Sequence, residues 1–242
     1  YGWLEGYDEQ WTPNTTDAEG RRYCYGNQPQ IAQWNLVQLA NALYPLVGDK
    51  APLEQALAYY GETFHGEWRR ALAEKLGLKS LEQPGDDELA GELFALLETV
   101  ETDFTLFFRL LATVPVNAAA DTASDSALAA PLRRAFYNDE ALAPAHLARL
   151  AGWLRRYAAR LRVDGVPAPE RIERMNRVNP KYVLRNYLAQ IAIDALAQGD
   201  ASVMERTMNV LENPYDEQPA HDELAERRPE WARNRAGCSA LS

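Results

Sequence analysis

The chain has 242 residues, 47% of them hydrophobic and 25% charged, with a formal charge of -10 at pH 7. That balance builds a hydrophobic core without staples, and the acidic field gives no overall attraction to nucleic-acid phosphates. No run approaches the ~20 apolar residues of a membrane helix, the opening YGWLEGYDEQW lacks the basic and apolar regions of a signal peptide, and two cysteines do not make a disulfide framework.

From Pro29 onward almost everything reads as helix. In QIAQWNLVQLANALYPLVG the residues Ile31, Trp34, Leu36, Leu39 and Leu43 follow helical spacing. Asn27 or Gln28 can cap this helix, Pro29 suits its first turn, and Pro45 with Gly48 marks its end. The next stretch, PLEQALAYYGETFHGEWRRALAEKLGL, carries one stripe through Leu53, Leu57, Tyr60, Phe64, Trp68, Leu72 and Leu76. Gly61 and Gly66 weaken the case for one unbroken helix there. After the turn SLEQPGDD comes ELAGELFALLETV, then DFTLFFRLLATV, with Asp103 as N-cap and Phe104, Phe107, Phe108 and Leu111 as the buried side.

The small, polar stretch VNAAADTASDSALAAP reads as a mobile connection. PAHLARLAGWLRRYAARLR then sets Leu147, Leu150, Trp153, Leu154, Tyr157 and Leu161 on one face. The clearest helix start is NPKYVLRNYLAQIAIDALAQGD, with Asn179 as cap and Pro180 in the first helical position. Its stripe is Val183, Leu184, Tyr187, Leu188, Ile191 and Ala195, and Gly199 stops it. A shorter helix, ASVMERTMNVLEN, precedes a charged, proline-bearing tail that reads as partly ordered from about residue 214. No stretch alternates as a strand does, so the expected class is all-α.

Complete catalytic motifs are lacking. There is no Gly-rich phosphate loop and no G-x-S-x-G elbow. His65, His146 and His221 are each isolated from other ligands at metal-binding spacing, and a lone histidine is most often a hydrogen-bonded surface or core residue. Glu54, Glu88, Glu92, Asp103 and Asp194 read as caps or solvated helix faces, although folding could pair any two of them. Arg155, Arg156, Arg160 and Arg162, followed by Arg171, Arg174, Arg177 and Arg185, form the densest basic group. Arginine suits phosphate, but here the residues flank apolar helix positions and offset the acidic remainder.

Several strings are more particular than helix packing requires. They are GNQPQIAQWNLVQLANAL, KLGL from Lys75, DFTLFFRLL from Asp103, MNRVNPKYVLRNYLAQIAI from Met175 and NPYDEQP from Asn213. A late PEWA and a cysteine near the C-terminus complete the series. In this order they resemble the selenoprotein O (SelO) family of protein adenylyltransferases, over the whole chain.

The resemblance implies the helical C-terminal lobe of a protein kinase-like fold with the N-lobe absent. It also implies transfer of AMP from ATP to Ser, Thr or Tyr hydroxyls of protein substrates, with Mg²⁺ or Mn²⁺. In the family a DYGP motif, whose aspartate binds metal, precedes a stretch like YGWLEGYD. The resemblance therefore sets the catalytic, ATP-binding and metal-binding residues ahead of Tyr1 and none in this chain, which alone is expected to be inactive. It makes residues 1–28 an activation-segment-like loop and residues 29–242 a single helical region. ATP, protein substrates and the divalent ion are the implied partners, with no nucleic acid or membrane, and the location is cytoplasmic in bacteria and mitochondrial in eukaryotic members.

The family also implies a redox element. Cys238-Ser239 matches the C-terminal cysteine, although SALS replaces the usual serine ending. Near the family's upstream cysteine stands PNTTD, with Pro13, and Cys24 further on is the candidate partner. The alternative function is a stand-alone helical protein-interaction module derived from that lobe.

Overall fold

The computed structural model describes residues 4–12, 20–138, 143–235 and 238. Tyr1, the PNTTD stretch and the residues from Ser239 onward lie outside them. Among the described residues the regular elements are α-helices and short 3-10 turns. Extended pairing is confined to the isolated bridges Gly6 to Asp103 and Thr102 to Phe136. The class is all-α. No helix among these residues is long and apolar enough to cross a membrane.

Packing divides the described residues into two compact units, one within residues 8–72, the other of those up to Tyr7 together with those from Ala73 to Cys238. In the smaller unit a 3-10 turn at Tyr25–Asn27 leads into α1 (Gln28–Val47), and α2 (Ala51–Leu76) follows after a short turn. α2 is continuous, so Gly61 and Gly66 are absorbed without a break. α1 also runs on through Pro45, because a proline so near the end removes a single ladder bond and Gly48, at φ 73°, closes the helix with its N–H on the Tyr44 carbonyl. The Tyr60 hydroxyl donates to the Pro29 carbonyl at 3.0 Å and ties the start of α1 to α2. Val37, Ala40 and Tyr44 face Leu53 and Leu57 across a groove of about 410 Å³.

The larger unit begins with Leu4–Tyr7 and resumes at Ala73, in the last turn of α2. α3 (Asp86–Thr99) and α7 (Pro144–Asp164) pack together around Leu93, Leu97, Leu150, Leu154 and Trp153. The Trp153 indole N–H donates to the Leu89 carbonyl at 2.8 Å, and its ring stacks on Tyr157 at 5.1 Å. Tyr157, wholly buried, donates its hydroxyl to the Leu76 carbonyl at 2.7 Å. Two large aromatic bodies are thus buried with their polar tips satisfied. α4 (Phe104–Leu111) starts as expected, with the Asp103 carboxylate accepting from the Leu106 N–H at 2.9 Å and with Phe107, Phe108 and Leu111 buried.

The stretch expected to be a mobile connection is a packed one. It forms α5 (Ala119–Thr122), α6 (Asp125–Ala129) and a 3-10 turn over Ala130–Ala135. Its alanines let the backbone approach α7 closely, and α7 supplies the anchors. Arg162 donates to the Val116 and Asn117 carbonyls and to Asp121, and Arg155 to the Ala123 carbonyl and Asp125. Side-chain guanidinium groups satisfy loop carbonyls that composition alone leaves unassigned.

A second correction concerns the helix start at Asn179. Asn179 instead closes α8 (Ala168–Val178), and α9 begins only at Asn186 (Asn186–Leu196). Residues 180–185 are non-helical because both sides of them are pinned. The Lys181 and Tyr182 N–H groups donate to the Pro214 carbonyl, Tyr182 is buried, and Arg185 is drawn inward by Asp103. In consequence Val183 is only partly buried, Leu184 and Ile191 are exposed, and α9 buries Tyr187, Leu188 and Ala192.

α10 (Ser202–Leu211) packs on α9, and the residues after it stay against this body. Leu224, Ala225, Ala232 and Cys238 join Tyr182, Tyr187, Leu188 and Val210 in one apolar cluster. Arg109 bonds the Asn176, Asn179 and Tyr215 carbonyls and Glu217, so the NPYDEQP segment is fastened to α4 and to the end of α8.

Candidate functional site

The feature with most chemistry in it is the anchorage of Leu4–Tyr7. Phe104 donates its N–H to the Glu5 carbonyl at 2.7 Å, which seats this stretch on the first turn of α4. Tyr7 lies between Phe94 and Phe104, with centroids at 5.1 and 5.5 Å. Below the backbone lies a group of buried charges. Asp103, fully buried, takes two bonds from Arg185, at 2.6 and 3.0 Å, and a third from the Tyr137 hydroxyl at 2.9 Å. Arg228 donates to Glu5 at 3.1 Å and to Glu101 at 2.8 Å, and Arg233 donates twice to Glu101.

The electrostatics follow from burial. Desolvation raises the Glu5 pKa, against the pull of Arg228 and Arg185. Burial also drives the Tyr137 phenol well above its ordinary range, and the Asp103 charge adds to that, so Tyr137 acts as a neutral donor. Burial disfavours the Arg185 cation, but the Asp103 carboxylate outweighs it, and the Arg185 pKa is raised. Breaking a buried pair of this kind by removing one partner costs about 3–5 kcal/mol. Among the described residues Glu5 Oε1 and Arg185 Nε are buried without a hydrogen-bond partner.

Lys75 adds a second unusual group. Its ammonium sits 4.5 Å from the Phe108 ring centre and donates to Asn179 Oδ1 at 2.8 Å, while Asn179 Nδ2 returns a bond to the Lys75 carbonyl. Burial lowers its pKa from the ordinary 10.5 to about 8.

Cys238 is 2% exposed, with its carbonyl accepting from Asn186 Nδ2 at 3.4 Å. Burial raises its thiol pKa, the opposite of what a reactive thiolate requires. Cys24 lies in the smaller unit, also fully buried. Both are free thiols in this structure.

The other candidates separate cleanly. His65 is exposed. His146 is buried against the edge of Phe136, and burial lowers its pKa. The arginine group is largely neutralised by carboxylates, in the pairs Arg155 with Asp125, Arg156 with Glu92, Arg162 with Asp121 and Arg177 with Glu173. Arg160 holds both Asp86 and Asp164, and Arg171 is buried with a bond to the Ala112 carbonyl. Asp194 pairs with Arg235. Among the described residues no group of three or more His, Cys, Asp or Glu is arranged to hold a metal ion.

Sequence reasoning identified Asp103 as a cap but missed its pairing with Arg185, 82 positions away, and missed Glu5, Tyr137 and Arg228 altogether. The signal within reach was the particularity of the strings themselves, since DFTLFF and VLRNYL carry the two halves of the buried pair.

Comparison with known proteins agrees with those strings. The family model described as protein adenylyltransferase SelO matches residues 1–212. Proteins named protein nucleotidyltransferase YdiU are similar over the whole chain: 58% identical in Nitrosospira multiformis, 51% in Rhodopirellula baltica and 49% in Aromatoleum aromaticum. The match takes in 46%, 46% and 44% of those proteins, so the chain spans less than half the length of the curated relatives. On the extent of the family match and these identities, the chain belongs to the SelO family of protein adenylyltransferases.

Proposed function

We propose that this chain is the C-terminal helical part of a longer, kinase-like protein adenylyltransferase that transfers AMP from ATP to Ser, Thr or Tyr hydroxyls of proteins. The observation that carries the reading is the match of the whole chain to nucleotidyltransferases of which it spans less than half. In this proposal the metal-binding aspartate, the nucleotide-gripping cations and the base lie ahead of Tyr1, in and near an N-lobe. Bound Mg²⁺ or Mn²⁺ would neutralise the triphosphate. In this reading the chain's own contribution is mechanical.

That contribution is to hold the stretch that follows the metal site. The Phe104 bond, the Tyr7 stack and the Arg228 contact fix Leu4–Tyr7 to α4 and to residues near the C-terminus. A stretch fixed at one end restricts where the residues just before it can go, which is how a scaffold positions catalytic groups. The helices beyond it would support the site and receive protein substrate, in a cytoplasmic location for a bacterial protein.

Cys238 is proposed as a redox element with Cys24 as candidate partner. Both are buried thiols here, so oxidation would require local opening. Separate alkylation of the two thiols in the unfolded, non-reduced protein excludes the bridge, and protection of both supports it.

The adenylylation reading is tested on the longer polypeptide with ATP labelled at the α- or the γ-phosphate. The expected result is label on protein hydroxyls from the α position only. Transfer from the γ position would make the protein a kinase, and no transfer from either favours a helical interaction module.

A further inference from the structure

Of the 25 basic residues only Lys50, Lys75, Lys79 and Lys181 are lysines, and the structure gives them different environments. Lys50 and Lys79 are exposed. Lys181 donates to Glu217 and to Asp222, each at 2.6 Å. Burial works against its charge, but these carboxylates outweigh it and raise its pKa. Lys75 differs from all three. It is half-buried in the last turn of α2, and no carboxylate pairs with it among the described residues.

These surroundings suit a neutral amine better than a cation. The nitrogen lies 4.5 Å from the centre of the Phe108 ring and 5.9 Å from that of Phe104. Asn179 Oδ1, at 2.8 Å, is the acceptor it reaches among the described residues. Ring faces offset part of a cation's lost hydration, but an ammonium has three N–H groups to satisfy and a neutral amine two. Charged side chains on the helices around it are engaged elsewhere. Arg109 of α4 donates to Glu217 and to the Asn176, Asn179 and Tyr215 carbonyls, and Arg171 of α8 donates to the Ala112 carbonyl. Glu74, its neighbour in α2, is set about 100° around the helix. With no anion to recover the charge, burial lowers the Lys75 pKa to about 8. At pH 7.5 roughly a quarter of such amines are uncharged, against about one in a thousand for an ordinary lysine. Desolvation beside apolar groups turns lysine into a nucleophile at neutral pH.

We propose that Lys75 is a covalent modification site, acylated directly by a small acyl phosphate. The uncharged nitrogen attacks the carbonyl carbon and an amide N–C bond forms. The bond from that carbon to the phosphate oxygen breaks, and the amine proton leaves with the phosphate as hydrogen phosphate. The amide keeps one N–H, enough to retain the bond to Asn179 Oδ1, and its acyl carbons lie beside the Phe104 and Phe108 rings. The product carries no charge to desolvate. The donor has to be small, because the nitrogen is reached only through the half-buried end of α2. This site goes beyond the adenylyltransferase reading and does not depend on it.

The four lysines serve as one another's controls. The folded full-length protein is incubated briefly with acetyl phosphate at a series of pH values and then unfolded. Deuterated acetic anhydride fills the remaining amines, and mass spectrometry reads the share of light acetyl at each lysine. At pH 7.5 Lys75 should react at least several-fold faster than Lys50, Lys79 or Lys181. Its rate should level off above pH 8, and its preference should vanish when the reaction is run in urea. A rate at Lys75 equal to or below those of Lys50 and Lys79 overturns the proposal. A Lys75 rate that still rises about tenfold per pH unit beyond pH 9 does so too, since the amine would then titrate as an ordinary lysine. Preference that survives in urea would come from local sequence and not from the fold, and also overturns it.

Discussion

At the residue scale the chain's buried charges hold separate segments together. Asp103 caps α4, receives a bidentate guanidinium and accepts from a phenol, all while fully buried, so one carboxylate fixes three separate parts of the larger unit. Its capping role was legible locally, because an aspartate ahead of an apolar run has a standard meaning. Its pairing with Arg185 was not, since no periodicity links residues so far apart. Lys75 gives the sharpest test at this scale. The native side chain loses its proton near pH 8 and the unfolded one near 10.5, so between these values the unfolded state binds the extra proton. Stability from this group therefore rises as pH increases through that window, and the burial penalty is fully present below it. Lys75→Met should lack this rise, so the difference in denaturation midpoint between variant and parent should change from pH 8 to 10.5. Parallel midpoints over that range would show that Lys75 titrates normally.

At the element scale, long helices with dense apolar spacing were read correctly, and errors gathered where tertiary contacts override local preference. Asn179-Pro180 has the local chemistry of a helix start. The native chain uses it as a helix end, because the Pro214 carbonyl and Asp103 together hold residues 181–185 out of a helix. The alanine-rich stretch ahead of α7 looked mobile for lack of large side chains, and is fastened by arginines that belong to another helix. KLGL was singled out only as a particular string, and the tight turn that Gly77 makes at the end of α2 was not read from it. Gly77 has φ 71°, and a Cβ there would lie 2.8 Å from Met175 Sδ and 3.0 Å from Arg171 Cγ. Gly48 has a similar φ of 73° with nothing within 4 Å. Gly48→Ala should cost only the left-handed conformation, roughly 1–2 kcal/mol. Gly77→Ala should cost that and the displacement of the buried Met175. Urea unfolding of both variants measures the difference, and equal losses would mean that the contact with Met175 relaxes freely.

At the scale of the whole molecule, the sequence carried family membership more plainly than it carried any site. The all-α class followed from periodicity, and the family followed from short strings whose reasons are long-range. VLRNYL holds Arg185, KLGL holds Lys75 and the tight glycine, and NPYDEQP holds Glu217 against Arg109. What such strings keep together in the described residues are long-range contacts, which no local motif spells out. The central claim is that this chain supplies scaffold and that the chemistry lies in the remainder of a longer polypeptide. The most direct measurement incubates the 242-residue chain and the longer polypeptide in parallel with α-labelled ATP, Mg²⁺ and Mn²⁺, and reads label on protein. The account predicts transfer by the longer polypeptide and none by the chain alone; transfer by the 242 residues on their own would contradict it.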